Sequence, residues 1–371
     1  MIYRVLVVVW LALSVIYLPA LAVEQKTDIV PEEVWEEQKE ALDIDTVEAK
    51  SGSYTNGMTV DEADLDDGLH SLLETGQGQL RSVLPKALRS GIIILILVML
   101  CQVANGFFTD GTPDIVYLGG ALAITVTASA DLTTMVGLGR SAIESMDTCS
   151  KALLPTLAAA TAATGSATAS SVRQMATMMF SDILITVISH FILPMVYAYI
   201  ALCAAKAAIG NDGLGKLAGL VKWGSTTVLG LLLLIFTGYL TVSGAIAGSA
   251  DAATLKTAKF TISTVIPVLG SILSDAAESV MAGAALLKNA IGIIGLIAVL
   301  GICLGPFLQL GIHYLIYKVT AALTGTIADK RLADFIDSIS GAFGILLGMT
   351  GACGLLLLIS IVSAVTAVKG G

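Results

Sequence analysis

The side chains best suited to chemistry in this sequence are two carboxylates, Asp275 and Glu278, which lie in a stretch of small and aliphatic residues. Because they are three positions apart, a helix places both on one face. An ionised carboxylate at the centre of a bilayer costs about 2.5–3.5 kcal/mol, so the pair must face water, a cavity or a cation. We consider two interpretations. In the first, the pair lies on the solvated face of an interfacial helix. In the second, it lies at the mouth of a pore or at a partner contact, after a break in the helix at Pro267.

A second polar pair, Gln309 and His313, is spaced by one helical turn within an apolar run. Polar groups inside a membrane usually face a bundle interior or an aqueous cavity. Structural hydrogen bonding and a substrate path therefore both remain open as interpretations of this pair.

Enzyme signatures are missing from the sequence. It contains no His-Glu-x-x-His, no Gly-rich loop ending in Lys-Ser/Thr and no Gly-x-Ser-x-Gly. The five cysteines, no two closer than 48 positions, fit neither a disulfide framework nor a zinc site. We therefore expect no enzymatic activity, no cofactor and no metal.

The composition excludes a water-soluble fold. Of 371 residues, 56% are apolar and only 13% are charged, where about 25% charged is usual for soluble domains. The net charge of −9 is unevenly divided, because residues 23–80 hold 16 acidic and 3 basic side chains. No basic stripe suited to nucleic acid is present. The chain is expected to be an integral membrane protein with one acidic segment.

The order of segments predicts how the chain meets the membrane. Residues 1–22 resemble a secretory signal peptide, with an uncleaved first helix as the alternative. Residues 23–90 form an acidic extracytoplasmic arm, too poor in apolar residues for a core of its own, that ends in a basic amphipathic juxtamembrane helix. We interpret the arm as a docking element that is dispensable for membrane insertion.

Residues 91–371 form the membrane domain. The predicted spans are 91–108, 115–137, 180–205, 224–248, 290–317 and 342–368. Segments 152–171 and 262–287 are weakly apolar and rich in small residues, so they could be further spans, re-entrant hairpins or interfacial helices.

An internal repeat is indicated by landmarks that recur at one offset of 112 positions: Pro155, Pro194 and Lys206 match Pro267, Pro306 and Lys318. The repeats would cover about 129–240 and 249–368, and repeats with Pro-broken helices are typical of transporters and channels. The predicted fold is an all-α polytopic membrane protein with about 6–8 transmembrane helices and an internal duplication.

The stretch from Ile266 to Asn289 carries Pro-Val-Leu-Gly at 267–270 and Ser-Asp-Ala-Ala-Glu at 274–278. Together with Thr254-Leu-Lys-Thr-Ala-Lys-Phe before it and Ala290-Ile-Gly-Ile-Ile-Gly after it, this stretch resembles the stage III sporulation protein AE family of endospore-forming bacteria. The resemblance extends over roughly residues 65–371.

That resemblance implies a polytopic protein of the mother-cell membrane around the forespore, with its arm in the intermembrane space. It implies a channel-like, secretion-like complex with other stage III sporulation A proteins (an ATPase, ring-forming and membrane components) and a forespore membrane partner. The family has no catalytic motif to carry over. A homo-oligomer is left open, and no nucleic acid is expected.

Our leading hypothesis is that the chain forms part of an export gate or pore of this complex. The candidate pore or partner contact comprises Asp275, Glu278, Pro267, Pro155, Pro194, Pro306, Gln309 and His313. The alternatives are a stand-alone secondary transporter of a small solute and a non-conducting scaffold.

Overall fold

The computed structural model describes residues 32–107, 113–163, 176, 179–180, 182–265, 270–328 and 330–366, and the side chains among them except 240–283 and isolated positions. The signal-peptide prediction therefore lies outside the described residues. The helices are α1 (Glu32–Ala41), α2 (Ile44–Ser51), α3 (Leu65–Phe107), α4 (Pro113–Ala163), α5 (Leu193–Ile209), α6 (Asp212–Val265), α7 (Gly270–Ile327) and α8 (Lys330–Thr366). A short 3₁₀ turn, Val60–Glu62, precedes α3, and a π-helical turn, Ile188–Ile192, leads into α5.

Six described segments are long and apolar enough to cross a membrane: Leu65–Phe107, Ile115–Ala163, Asp182–Ile209, Asp212–Phe236, Ala284–Ile327 and Lys330–Val362. Each predicted span overlaps one of them, in agreement with an all-helical polytopic membrane protein. Residues 152–163 simply continue α4, and 270–287 begin α7. In the described part of the chain, neither weakly apolar segment forms a separate short helix.

The helices pack as a long bundle with two distinct ends. Helix α3 runs beside α7 in the same direction, because Gly68 meets Ile297 and Gly91 meets Thr320. Helices α4 and α8 run antiparallel to α7. With 43, 51 and 58 residues, α3, α4 and α7 are far longer than the roughly 20 residues that span a bilayer. We call the end with the α5–α6 and α7–α8 turns the loop end, and the opposite end the arm end.

The α5–α6 turn at the loop end is only two residues long. Gly210 follows the last turn of α5 at φ 75° and donates its N–H to the Lys206 carbonyl at 2.8 Å. A left-handed residue at this position is the usual helix stop, and glycine adopts it without steric cost. The turn therefore brings the N-terminus of α6 directly beside the C-terminus of α5.

The acidic arm packs onto the bundle at the arm end. Trp35, Ile44, Val47 and Val60 are each at most 4% exposed and belong to the same core as the long helices. The Trp35 indole N–H donates to Asp61 at 2.9 Å. These four side chains of the arm thus share the core of the long helices, and the dispensability of the arm for insertion stays a prediction.

A salt bridge fastens the arm's helix α1 to the turn before α3. Lys39 Nζ lies 2.9 Å from an Asp61 carboxylate oxygen and 3.4 Å from Glu36. The hydrogen bond with Asp61 raises the pKa of Lys39 above its usual value. Asp61 is therefore shared between the indole of Trp35 and this ammonium group.

A close contact between the arm and α7 depends on Gly301. A Cβ at this position would lie 2.6 Å from the Tyr54 carbonyl oxygen, a backbone atom that cannot rotate away. At Gly311 of the same helix, a Cβ would meet no atom within 4 Å. Gly301 thus allows the arm to approach the α7 backbone.

We expect Gly301→Ala to lower the thermal unfolding midpoint in detergent, because overpacking of about 1–3 kcal/mol outweighs the helix propensity of about 1 kcal/mol gained over glycine. The control, Gly311→Ala, gains the same propensity without a clash, so its midpoint should be unchanged or higher. Equal midpoints for the two variants would contradict the close approach.

The large apolar side chains that are exposed within 88–126, 179–239 and 315–327 form a surface that we call the apolar belt. Among the described residues, only Leu73, Leu80 and Leu84 are exposed large apolar side chains outside these ranges. At the arm end, α4 instead presents Arg140 and Glu144, 65% and 62% exposed. The belt is a surface suited to lipid or to other membrane subunits.

The most apolar parts of α7 and α8 are covered by protein. The apolar windows of Ala284–Ile327 and Lys330–Val362 are 61% and 72% buried, against 17% for Asp212–Phe236. Helices α3 and α4 and the arm pack around this α7–α8 hairpin. The hydropathy of 290–317 and 342–368 therefore reflects the protein interior as well as the membrane.

Two of the repeat-matched prolines lie within continuous helices. Pro155 lies inside α4, and Pro306 lies inside α7, within the predicted span 290–317. A proline is tolerated where neighbouring helices and local adjustment satisfy the freed carbonyl. Pro194 follows the π-helical turn at the start of α5. The duplication itself stays a prediction.

Candidate functional site

The predicted site residues do not form one cluster in the described structure. Asp275 and Glu278 lie on the backbone of α7, but their side chains are outside the described residues, and Pro267 lies wholly outside them. Pro155 packs at the level of Gly295 near the arm end, since its neighbour Leu153 contacts Gly295. Pro306, eleven positions further along α7, is about 16 Å away along the helix axis.

The pair Gln309 and His313 does share one face of α7. His313 is 4% exposed, its Nδ1 lies 2.8 Å from the Gln309 carbonyl oxygen, and its ring centroid is 5.7 Å from that of Phe343 on α8. Because a carbonyl only accepts, Nδ1 is the donor of this hydrogen bond. This geometry favours structural hydrogen bonding for His313.

A cluster of charged side chains that sequence reasoning missed lies between α5, α6, α7 and α8. Lys318 of α7 forms an ion pair with Asp337 of α8. Lys222 of α6 stands beside Tyr199, 5.7 Å from its ring centroid, and Asp337 acts on its ammonium group electrostatically. We call these four residues the charged cluster.

Gly341 makes room for two members of the charged cluster. A Cβ there would lie 2.8 Å from Lys222 Nζ and 2.9 Å from the Tyr199 hydroxyl oxygen. The absence of a side chain at this turn of α8 therefore lets both polar groups approach the α8 backbone.

The charged cluster lies within the apolar belt. Along α6, Lys222 stands between exposed Leu217 and Leu220 on one side and exposed Leu231 and Leu234 on the other. Lys318 is about 14 Å along α7 from the α7–α8 turn at 1.5 Å per residue. The side chains of Lys318 and Asp337 are nevertheless each 46% exposed.

A further polar contact lies across α7 from the charged cluster. The hydroxyl of Tyr317, which is fully buried, donates to Asp131 of α4 at 2.8 Å. The Tyr317 ring meets Phe343 edge-on at 5.0 Å. The adjacent residues Tyr317 and Lys318 of α7 thus contact one carboxylate on α4 and one on α8, respectively. These two contacts link the three helices at the level of the belt.

The loop end carries a cleft of about 400 Å³, which we call the loop-end cleft. Its lining residues are Cys203, Lys206, Ala207, Gly210, Asp212, Lys330, Arg331, Asp334, Phe335 and Ser338. Lys206 Nζ lies 3.6 Å from an Asp334 carboxylate oxygen inside it. Lys206 and Lys318, the two repeat-matched lysines, therefore both contact acids near the start of α8.

The sequence held a signal for these acids. Asp334 and Asp337 are three positions apart and Ser338 follows, so one helical face just before the span 342–368 carries all three. All three lie outside the predicted spans, between 290–317 and 342–368. Among the described residues, no group of three or more His, Cys, Asp and Glu side chains could hold a metal ion.

Comparisons with known proteins give one consistent result. The profile of the family described as Stage III sporulation protein AE matches residues 61–368. The Stage III sporulation protein AE of Bacillus subtilis (strain 168) is 25% identical over 283 residues, which cover 76% of this chain and 71% of that protein. No solved structure matches the chain.

Proposed function

The chain belongs to the stage III sporulation protein AE family, and from this premise we propose that it is a membrane component of a channel between mother cell and forespore. Membership implies a role in sporulation. Within the channel we assign it part of the export gate or pore. The comparisons do not favour the stand-alone transporter.

The observation that carries this proposal is the half-exposed ion pair of Lys318 and Asp337 within the apolar belt. Lipid cannot solvate charged groups, which in membranes face a bundle interior or an aqueous cavity. In the described structure both side chains of the pair are 46% exposed. We therefore propose that the face of α7 around Lys318 lines an aqueous export path in the assembled complex.

The orientation follows from the expected translocation of the arm. Basic side chains flank the belt on both sides, Lys206, Lys216, Lys330 and Arg331 at the loop end and Arg81, Lys86 and Arg89 towards the arm end, so the positive-inside rule favours neither side. We propose that the loop end faces the mother-cell cytoplasm and that the arm end projects into the intermembrane space. The membrane would be the mother-cell membrane that surrounds the forespore.

The arm offers a surface for partners in that space. Its exposed acids surround the buried Trp35 and include Glu32, Glu33, Glu37 and Glu40. We propose that this surface meets the ring-forming stage III sporulation A proteins or the forespore membrane partner. The ATPase of the complex would approach the loop end instead.

The proposal can be tested without changing any charge. In a sporulating strain that depends on this chain, Gly341→Ala should displace the Lys222 ammonium and the Tyr199 hydroxyl, both of which are ends of side chains that can move. We expect normal protein accumulation and a several-fold loss of late forespore gene expression, measured with a forespore-specific reporter.

The matched control is Gly348→Ala on the same helix, where a Cβ would meet nothing within 4 Å. It should leave reporter expression at the parental level. Parental reporter expression in both variants would show that the charged cluster has no part in the proposed function.

A further inference from the structure

The loop-end cleft is a cavity that the proposed function does not use. We propose that it binds the phosphate group of an anionic phospholipid. Its lining holds three cationic side chains, Lys206, Lys330 and Arg331, against two carboxylates, Asp212 and Asp334. A phosphate diester carries one negative charge, which matches this excess of one positive charge.

Arg331 is held in place for such a contact. Its guanidinium packs directly over the α5–α6 turn, where a Cβ on Gly210 would lie 2.7 Å from Arg331 Cζ. On another side, Cζ lies 5.3 Å from the ring centroid of Tyr117. A guanidinium fixed between a backbone turn and an aromatic ring keeps its planar fork oriented, and that fork matches phosphate oxygens.

Two long helices also begin at the cleft, α6 at Asp212 and α8 at Lys330. The N-terminal end of a helix carries partial positive charge and presents backbone N–H groups, so it favours an anion. At α6 the Gly213 N–H already donates to Asn211 Oδ1 at 2.8 Å, so these two ends add partial positive charge to that of the three cationic side chains but do not form an anion site of their own.

The position of the cleft indicates a lipid as the source of the phosphate. It lies beside the apolar belt, near the ends of α5 and α7 and the start of α6, where Ile209, Leu217 and Ile327 are 68%, 51% and 46% exposed. Acyl chains can pack on these side chains while the headgroup enters the cleft. Basic pockets between membrane helices at the headgroup level are typical sites for anionic lipids.

The test uses the purified full chain in a neutral detergent, with its thermal unfolding midpoint as the readout. We expect phosphatidylglycerol to raise the midpoint by several degrees, and phosphatidylcholine at equal concentration to leave it unchanged. Equal shifts from both lipids would overturn the proposal, and so would an equal shift from inorganic phosphate alone, which would assign the cleft to a free anion.

Variants locate the effect in the cleft. Lys330→Gln and Arg331→Gln should each reduce the phosphatidylglycerol shift by half or more, whereas Lys216→Gln, an exposed lysine of α6 outside the lining, should keep it. Because Lys330 is exposed, its variant tests the proposal even if the packed Arg331 is needed for folding. A full shift in Lys330→Gln would overturn the assignment, and none of these readouts depends on the proposed channel.

Discussion

Trp35→Ala is expected to detach the acidic arm from the bundle. The substitution removes a side chain that is 4% exposed and packed against the long helices, and it leaves Asp61 without its indole donor. Truncation of a buried tryptophan costs about 3–5 kcal/mol. A segment that has no core of its own cannot absorb such a loss, so α1 and α2 should leave the surface of α7.

Limited proteolysis of the purified protein measures this release. In Trp35→Ala, cleavage between residues 42 and 64 should become many times faster, while the membrane-embedded fragment remains intact. The control is Trp223→Ala, because Trp223 is 64% exposed in the apolar belt and should leave arm cleavage at the parental rate. A parental cleavage rate in Trp35→Ala would show that the arm is not held by this contact.

Asp337→Asn is expected to be the most damaging single change in the charged cluster. It leaves Lys318 without its ion-pair partner and removes the carboxylate that acts electrostatically on Lys222. At the membrane centre an uncompensated lysine costs about 2.5–3.5 kcal/mol, a factor of roughly 70 to 400 in an equilibrium constant, and Lys318, whose side chain is 46% exposed, should lose less than this. We expect a lower thermal midpoint, reduced accumulation and loss of late forespore gene expression.

The comparison that isolates the charge effect is Lys318→Gln. This variant should be milder, because Asp337 still has Lys222 as a counter-charge. The double variant, Lys318→Gln with Asp337→Asn, should be more stable than Asp337→Asn alone, since it removes one of the two uncompensated cations. Additive losses in the double variant would contradict the electrostatic coupling.

Hydropathy was sufficient to predict the spanning helices but not their surroundings. The apolar runs 290–317 and 342–368 satisfy every criterion for spans, yet much of their surface packs against α3, α4 and the arm. Apolar contact with protein and apolar contact with lipid leave the same signature in a sequence. Only the packing of the helices determines which apolar residues are exposed in the belt and which are covered by protein near the arm end.

The candidate site, too, could be predicted only where it depends on local helical spacing. Gln309 and His313 were correctly placed on one helical face, because helical spacing is a local property. The pairing of Lys318 with Asp337 and the position of Lys222 depend on how α6, α7 and α8 pack. The continuity of α4 through Pro155 likewise depends on tertiary packing, because neighbouring helices can satisfy the carbonyl that a proline frees.

In the assembled complex the α7 face around Lys318 should line an aqueous path. The accessibility of position 315 to water tests this most directly. Leu315 shares this face and is 59% exposed, while Leu234 of α6 is 72% exposed elsewhere on the belt. With the native cysteines replaced, Leu315→Cys in sporulating cells should react with a charged, water-soluble thiol reagent, and Leu234→Cys should not. If both cysteines remain equally unreactive in the assembled complex, the face meets lipid or protein, and the chain does not line the export path there.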